Sequence, residues 1–124
     1  MTDTARCIVV CGAFDNLRSP DIRFLQEAAR LGPLHVLLFS DTLCQALTDA
    51  APKFPQAERL YYLQAVRYVE KVHLIEGPAD SYQLPTVPGV QPRAWVVRQT
   101  DDDPDRRDYR RGFRVSRTVY QHET

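Results

Sequence analysis

The sequence predicts one α/β domain with a doubly wound, Rossmann-like parallel sheet, residues 1–124 forming a single unit. Three observations carry this. Short apolar runs recur along the chain: Ile8-Val9-Val10, Leu34-His35-Val36-Leu37-Leu38-Phe39, Val72-His73-Leu74-Ile75 and Ala94-Trp95-Val96-Val97. Such near-continuous runs are strands covered on both faces, as parallel strands are. Between them lie stretches with helical spacing, first Ile22, Leu25, Ala28 and Ala29, then Leu60, Leu63, Val66 and Tyr68-Val69. Strands alternating with helices imply crossover connections and a parallel sheet. Finally, 124 residues are enough for one genuine core and no more than one domain. The layout serves many chemistries, so function has to be read from the residues at the strand ends.

The elements follow in order. A strand is expected over 6–11, then a break at Gly12 and a turn-rich stretch containing Asp15, Asn16, Ser19 and Pro20. A helix is expected over 20–31, with Ser19 as N-cap, Pro20 in the first position and Asp21 facing the positive end of the dipole. Gly32 suits the C′ position, and Pro33 stops the helix. A second strand is expected over 34–39, ending in Ser40-Asp41, followed by a short helix over 42–49 and a loop over 49–55. A long helix over 56–70 leads into a third strand at 72–75. Residues 77–92, with Gly77, Pro78, Pro85, Pro88, Gly89 and Pro92, read as a loop. A fourth strand over 94–97 precedes the charged run 101–111, read as a solvated loop and helix or as a metal site, and a last strand begins near 113.

Composition narrows the function. Sixteen basic and sixteen acidic residues cancel, which gives no argument for nucleic acid or a membrane surface as partner. No apolar run approaches the roughly 20 residues of a membrane span, and the start lacks a signal-peptide core, so a cytoplasmic protein is expected. Cys7, Cys11 and Cys44 have no metal-ligand spacing. Cys7 and Cys11, four apart on a strand, are about 13 Å from each other and cannot be bridged. All three read as reduced thiols serving as small hydrophobes. His35, inside an apolar run, reads as a structural histidine at a strand edge rather than a ligand or acid–base group. No metal ligand set is proposed.

The strand, turn and helix of residues 7–25 form the stretch where an open parallel sheet keeps its ligand crevice. Here Gly12-Ala13-Phe14-Asp15, a polar loop and then a helix resemble the first motif of the cytidylyltransferase-like nucleotidyltransferases, Gly-x-Phe-Asp-x-x-His-x-Gly-His. Ser40-Asp41 resembles the pair ending the second strand of that family. Glu58-Arg59-Leu60 with Ala65-Val66-Arg67-Tyr68-Val69-Glu70-Lys71-Val72 resembles its Glu-Arg…Ile-Arg-Tyr-Val-Asp-x-Val segment. Val115-Ser116-Arg117-Thr118 is similar to the family's late Ile-Ser-[Ser/Thr]-Thr.

The resemblance implies a nucleoside triphosphate, CTP or ATP, held against Gly12, Ala13, Phe14 and Asp15 and the helix start at Asp21. It implies a lysine and an arginine that assist, here Lys53 and Arg59, and hydroxyls and amides at Ser116, Arg117 and Thr118 that contact phosphate. Mg²⁺ would accompany the nucleotide if the protein is active. In such a reaction an acceptor oxygen attacks the α-phosphorus and pyrophosphate leaves, with catalysis by positioning and charge stabilisation. A homodimer is also implied, and Tyr61, Tyr62 and Tyr68 are expected to be exposed along the long helix.

The departures fall where the chemistry sits. Arg18 stands in place of the first histidine, Pro20 in place of the glycine and Asp21 in place of the second histidine. One lost donor of this kind is worth about 100-fold to 1,000-fold in rate. Pro20 brings no N–H to an anion, and Asp21 adds negative charge where phosphate would lie. Against this, Arg18, Arg23, Lys53, Arg59 and Arg117 can furnish a basic pocket. Three readings are therefore open. One is a relative that binds a nucleotide or phosphorylated metabolite with transfer lost or much reduced. Another is an active transferase rebuilt on Arg18 and Lys53, and the last is a partner-binding or unrelated Rossmann-like module.

Overall fold

The computed structural model describes residues 7–77, 87–98 and 119–120. Four parallel strands form one sheet in the order β3-β2-β1-β4: β1 Cys7–Gly12, β2 Leu34–Phe39, β3 Lys71–Ile75 and β4 Pro92–Trp95. The chain leaves β1 for β2 and β3 on one side, then crosses back to β4 on the other. That reversal beside β1 is the switch point at which parallel sheets open a crevice beyond their carboxyl ends. β5, Val97–Arg98, continues after a break at Val96, whose N–H bonds back to Val9 O at 3.0 Å, and β6, Val119–Tyr120, pairs parallel to it.

Each face of the sheet has its own core. On one, Ile8, Val10, Leu34, Val36, Leu38 and Ala94 meet Phe24, Leu25 and Ala28 of helix α1 (Ser19–Ala29) and Leu63 of α3 (Gln56–Gln64). On the other, Val9, Leu37, Ile75 and Trp95 meet Leu43 of α2 (Asp41–Thr48) and the turn at Val87 and Val90. The period of two along β1 explains the division: Ile8 and Val10 point one way, Cys7 and Val9 the other.

Several expected boundaries move. Arg18, not Ser19, is the N-cap of α1; the Asp21 carboxylate accepts the Arg18 N–H at 2.8 Å, which draws Ser19 into the helix. At the other end the helix stops at Ala29 with Arg30 as C-cap, so Gly32 lies one residue beyond C′. Gly32 has a φ of 154°, a backbone conformation that other residues rarely adopt, and a Cβ there would also sit 3.0 Å from the tip of Arg93 and 3.4 Å from Ile8 Cγ1. The helix expected over 56–70 ends at Gln64. Tight turns follow, Val66 N–H to Leu63 O and Val69 N–H to Val66 O, until Glu70 N–H reaches Leu34 O at 2.8 Å and sets β3 beside β2. Val66 and Val69 keep their helical spacing in sequence yet pack on the core from these turns. The strand expected over 94–97 is split at Val96. The charged run 101–111 with its alternative metal reading, and all of the last strand before Val119, lie outside the described residues.

Ser40 caps α2 through its hydroxyl, which accepts the Leu43 N–H at 3.0 Å. Cys7 and Cys44 are buried and Cys11 partly so, all as free thiols; burial pushes the Cys7 and Cys44 thiols up. No helix among the described residues is long and apolar enough to cross a membrane.

Candidate functional site: a braced turn at the end of β1

The turn after β1 is held by three separate devices. Gly12 is the first. The Phe14 ring lies over it, so that a Cβ at Gly12 would stand 3.2 Å from Phe14 Cε2. Phe14 and Asn16 themselves adopt left-handed backbone, with φ of 46° and 62°. For a phenylalanine that conformation is strained and persists only where the surroundings impose it.

Asp15 supplies the second. Its carboxylate accepts the backbone N–H of Lys53 at 2.6 Å and of Phe54 at 2.9 Å, across 38 and 39 residues of sequence. Lys53 is thereby fastened next to the Gly12–Asp15 turn, and its side chain is exposed.

Arg59 is the third. Its guanidinium, only 1% exposed, gives Nε–H to Phe54 O at 2.9 Å and Nη1–H to both Ala13 O and Phe39 O at 2.8 Å. Nη2 meets Asp41 Oδ1 at 2.7 Å. One side chain thus ties the ends of β1 and β2, the loop before α3 and the start of α2. Asp41 is held in turn: its Oδ2 accepts the Gln56 N–H at 3.1 Å and its own N–H reaches Gln56 Oε1 at 2.8 Å. Desolvation works to raise the Asp41 carboxyl, but the Arg59 guanidinium and the Gln56 amide hold it below the usual carboxylate range. The phosphate contact expected of Arg59 would need a guanidinium free to face outward. With four of its five N–H groups committed in the interior, Arg59 positions the turn instead.

Gly12, Ala13, Phe14, Asp15, Lys53 and Arg59 are therefore brought together. Arg18 is the N-cap of α1 with its side chain exposed, and Arg23 is exposed further along α1. Asp21 turns its carboxylate onto the Arg18 N–H, so one of the amides that would meet an anion at this helix start is already taken. Ser116, Arg117 and Thr118 lie outside the described residues. Among the described residues no group of three or more His, Cys, Asp or Glu side chains could hold a metal ion.

Two features were not foreseen. Phe14, Asn16, Leu17, Phe54, Arg59 and Tyr62 line a cavity of about 190 Å³ beside the turn. The sequence signal for it is the pair of aromatics flanking the brace, Phe14 and Phe54, which by themselves read as core. His35 and His73, on neighbouring strands, stack with their ring centres 5.1 Å apart and share a hydrogen bond between His35 Nδ1 and His73 Nε2 at 2.9 Å. Burial pushes both imidazoles down; nearby Glu70 opposes and Lys71 reinforces this at His35, while His35 and Lys71 reinforce it at His73. Tyr61 and Tyr62 are exposed as expected, at 67% and 51%, but Tyr68 is half-buried beneath the Arg67 guanidinium, 5.2 Å from its ring centre.

No family model and no curated protein matches the chain. Among solved structures, the lipopolysaccharide core biosynthesis protein from Thermoplasma volcanium GSS1 is similar, with a TM-score of 0.73 over 94% of this chain and 95% of that one. Sequence identity between the two is 20%, a level at which the likeness speaks for the fold. The chain is a Rossmann-like α/β domain.

Proposed function

We propose that this protein binds a nucleotide, CTP or ATP, or a phosphorylated small molecule in the crevice beyond β1, and that nucleotidyl transfer there is lost or much reduced. The observation that supports binding is the grip of Asp15 on the Lys53 and Phe54 amides. It brings the Lys53 backbone from 38 residues away to the turn after the central strand, whose sequence resembles a triphosphate cradle, and the Lys53 side chain is exposed with no ion pair among the described residues. Arg18 adds a second cation at the edge of the same turn. The observation that supports weak or absent transfer is the closed helix start, with Pro20 lacking an N–H and Asp21 occupying that of Arg18. Such a site keeps charge for holding phosphate but lacks donors aimed at a transferring one.

The test is thermal unfolding with CTP and ATP, each with Mg²⁺, alongside an assay for pyrophosphate release with alcohol and phosphate acceptors. A ligand at a hundred times its Kd contributes about 2.7 kcal/mol, several degrees of Tm for a domain of this size. The expected outcome is a raised Tm without turnover, with the rise much reduced in Lys53→Ala. Turnover abolished by Lys53→Ala would establish the rebuilt transferase, and a flat response to every nucleotide would refute the proposal.

A further inference from the structure

The cavity lined by Phe14, Asn16, Leu17, Phe54, Arg59 and Tyr62 has the make-up of a ligand pocket. Three aromatic rings and a leucine give flat apolar walls. The Arg59 charge is already answered by Asp41, which leaves the cavity without a free cation or anion. Two polar groups at its edge, the Asn16 amide and the Tyr62 hydroxyl, have no hydrogen-bond partner within the described residues. Pockets for small organic molecules combine an apolar lining with a few such groups. Size limits the occupant. A cavity of roughly 150 Å³ accommodates benzene, so about 190 Å³ takes one ring and a small substituent. The backbone of the turn shapes part of the wall. Phe14 and Asn16 are the two residues of the turn held at positive φ, and both face this space.

We infer that this cavity binds a small, uncharged, planar single-ring group that carries one hydrogen-bonding substituent. The Asn16 amide and the Tyr62 hydroxyl engage the substituent, while Phe14, Phe54 and Leu17 cover the ring. Resting on the crevice reading above, the ring is the non-phosphorylated end of the molecule whose phosphate lies by Lys53, which favours CTP or a single-ring metabolite over ATP with its two-ring base. The pocket itself stands without that reading.

Benzamide and benzyl alcohol, which carry no phosphate, are the probes. Titrated at millimolar concentration into ¹⁵N-labelled full-length protein, they should shift the amides of Phe14 to Leu17, Phe54 and Tyr62. Tyr62→Phe keeps the ring and Asn16→Gly keeps the backbone conformation; each should weaken binding about fivefold, the value of one neutral hydrogen bond. Well-dispersed spectra of both variants exclude misfolding as the cause. Absence of shifts, shifts centred on another surface, or unchanged affinity in both variants would overturn the inference. A probe response with no nucleotide response would leave this pocket standing and refute the crevice. A nucleotide response with no probe response would do the reverse.

Discussion

Arg59 decides more of this site than any residue that faces solvent. Three backbone carbonyls and one carboxylate converge on its guanidinium at 2.7 to 2.9 Å. Arg59→Met keeps much of the volume but leaves those acceptors unpaired. A buried acceptor left unsatisfied costs about 1–3 kcal/mol, while the Asp41 carboxylate, 41% exposed, turns to water, so chemical denaturation should show a loss of about 1–3 kcal/mol. Arg59→Lys should recover little of it, because an ammonium cannot span the fork. The sequence placed Arg59 beside the turn but did not show its inward bonds. Its distance along the chain from Ala13 hides the contact, and only the burial of the α3 face carrying it, beside Leu63, reveals that the charge points inward. Lys53 was legible for the opposite reason: a lysine among prolines and turn residues stays at the surface wherever the loop goes.

At the scale of elements, α1 sets stability against the proposed binding. Asp21 stabilises the helix by accepting the Arg18 N–H and by meeting the positive end of the dipole, and in doing so fills the place of an anionic ligand. Asp21→Ala should therefore lower stability by about 0.5–2 kcal/mol while tightening phosphate or nucleotide binding, read by calorimetric titration. Weaker binding would contradict this competition, and unchanged binding would show that the helix start takes no part. The pattern Ser19-Pro20-Asp21 announced the helix and its start to within one residue, since proline and the acidic residue act locally. The end of α3 was not legible. Helical spacing continues through Val66 and Val69, yet the chain must turn early for Glu70 to meet Leu34. Register between distant strands, rather than local preference, sets that boundary. The split at Val96 is of the same kind, fixed by its bond to Val9 across the sheet.

Across the whole molecule the strand pattern was sufficient to predict a parallel sheet with helices on both faces, because burial on two sides leaves a strong apolar signature. What pairs across β2 and β3 was not. The His35–His73 hydrogen bond requires that at least one ring be neutral, and burial depresses both below the ordinary value of 6.5. The unfolded chain then binds more protons than the folded one as pH falls below that value, so stability falls with acidification. The loss begins near the unfolded value and is complete once pH passes below the depressed folded ones. Urea midpoints between neutral and mildly acidic pH should drop in the native protein and drop less in His35→Gln/His73→Gln, where that titration is gone. An equal drop in both would place the acid sensitivity elsewhere.

The proposed binding requires that the turn after β1 and the loop carrying Lys53 meet the same ligand in one crevice. The most direct measurement is a ¹⁵N-resolved titration of the full-length protein with CTP or ATP and Mg²⁺. We predict shifts at Gly12, Ala13, Asp15, Arg18 and Lys53 that move together along one binding curve and are much weakened in Lys53→Ala. Saturable shifts that leave these amides unmoved, or no shifts at all, would contradict it.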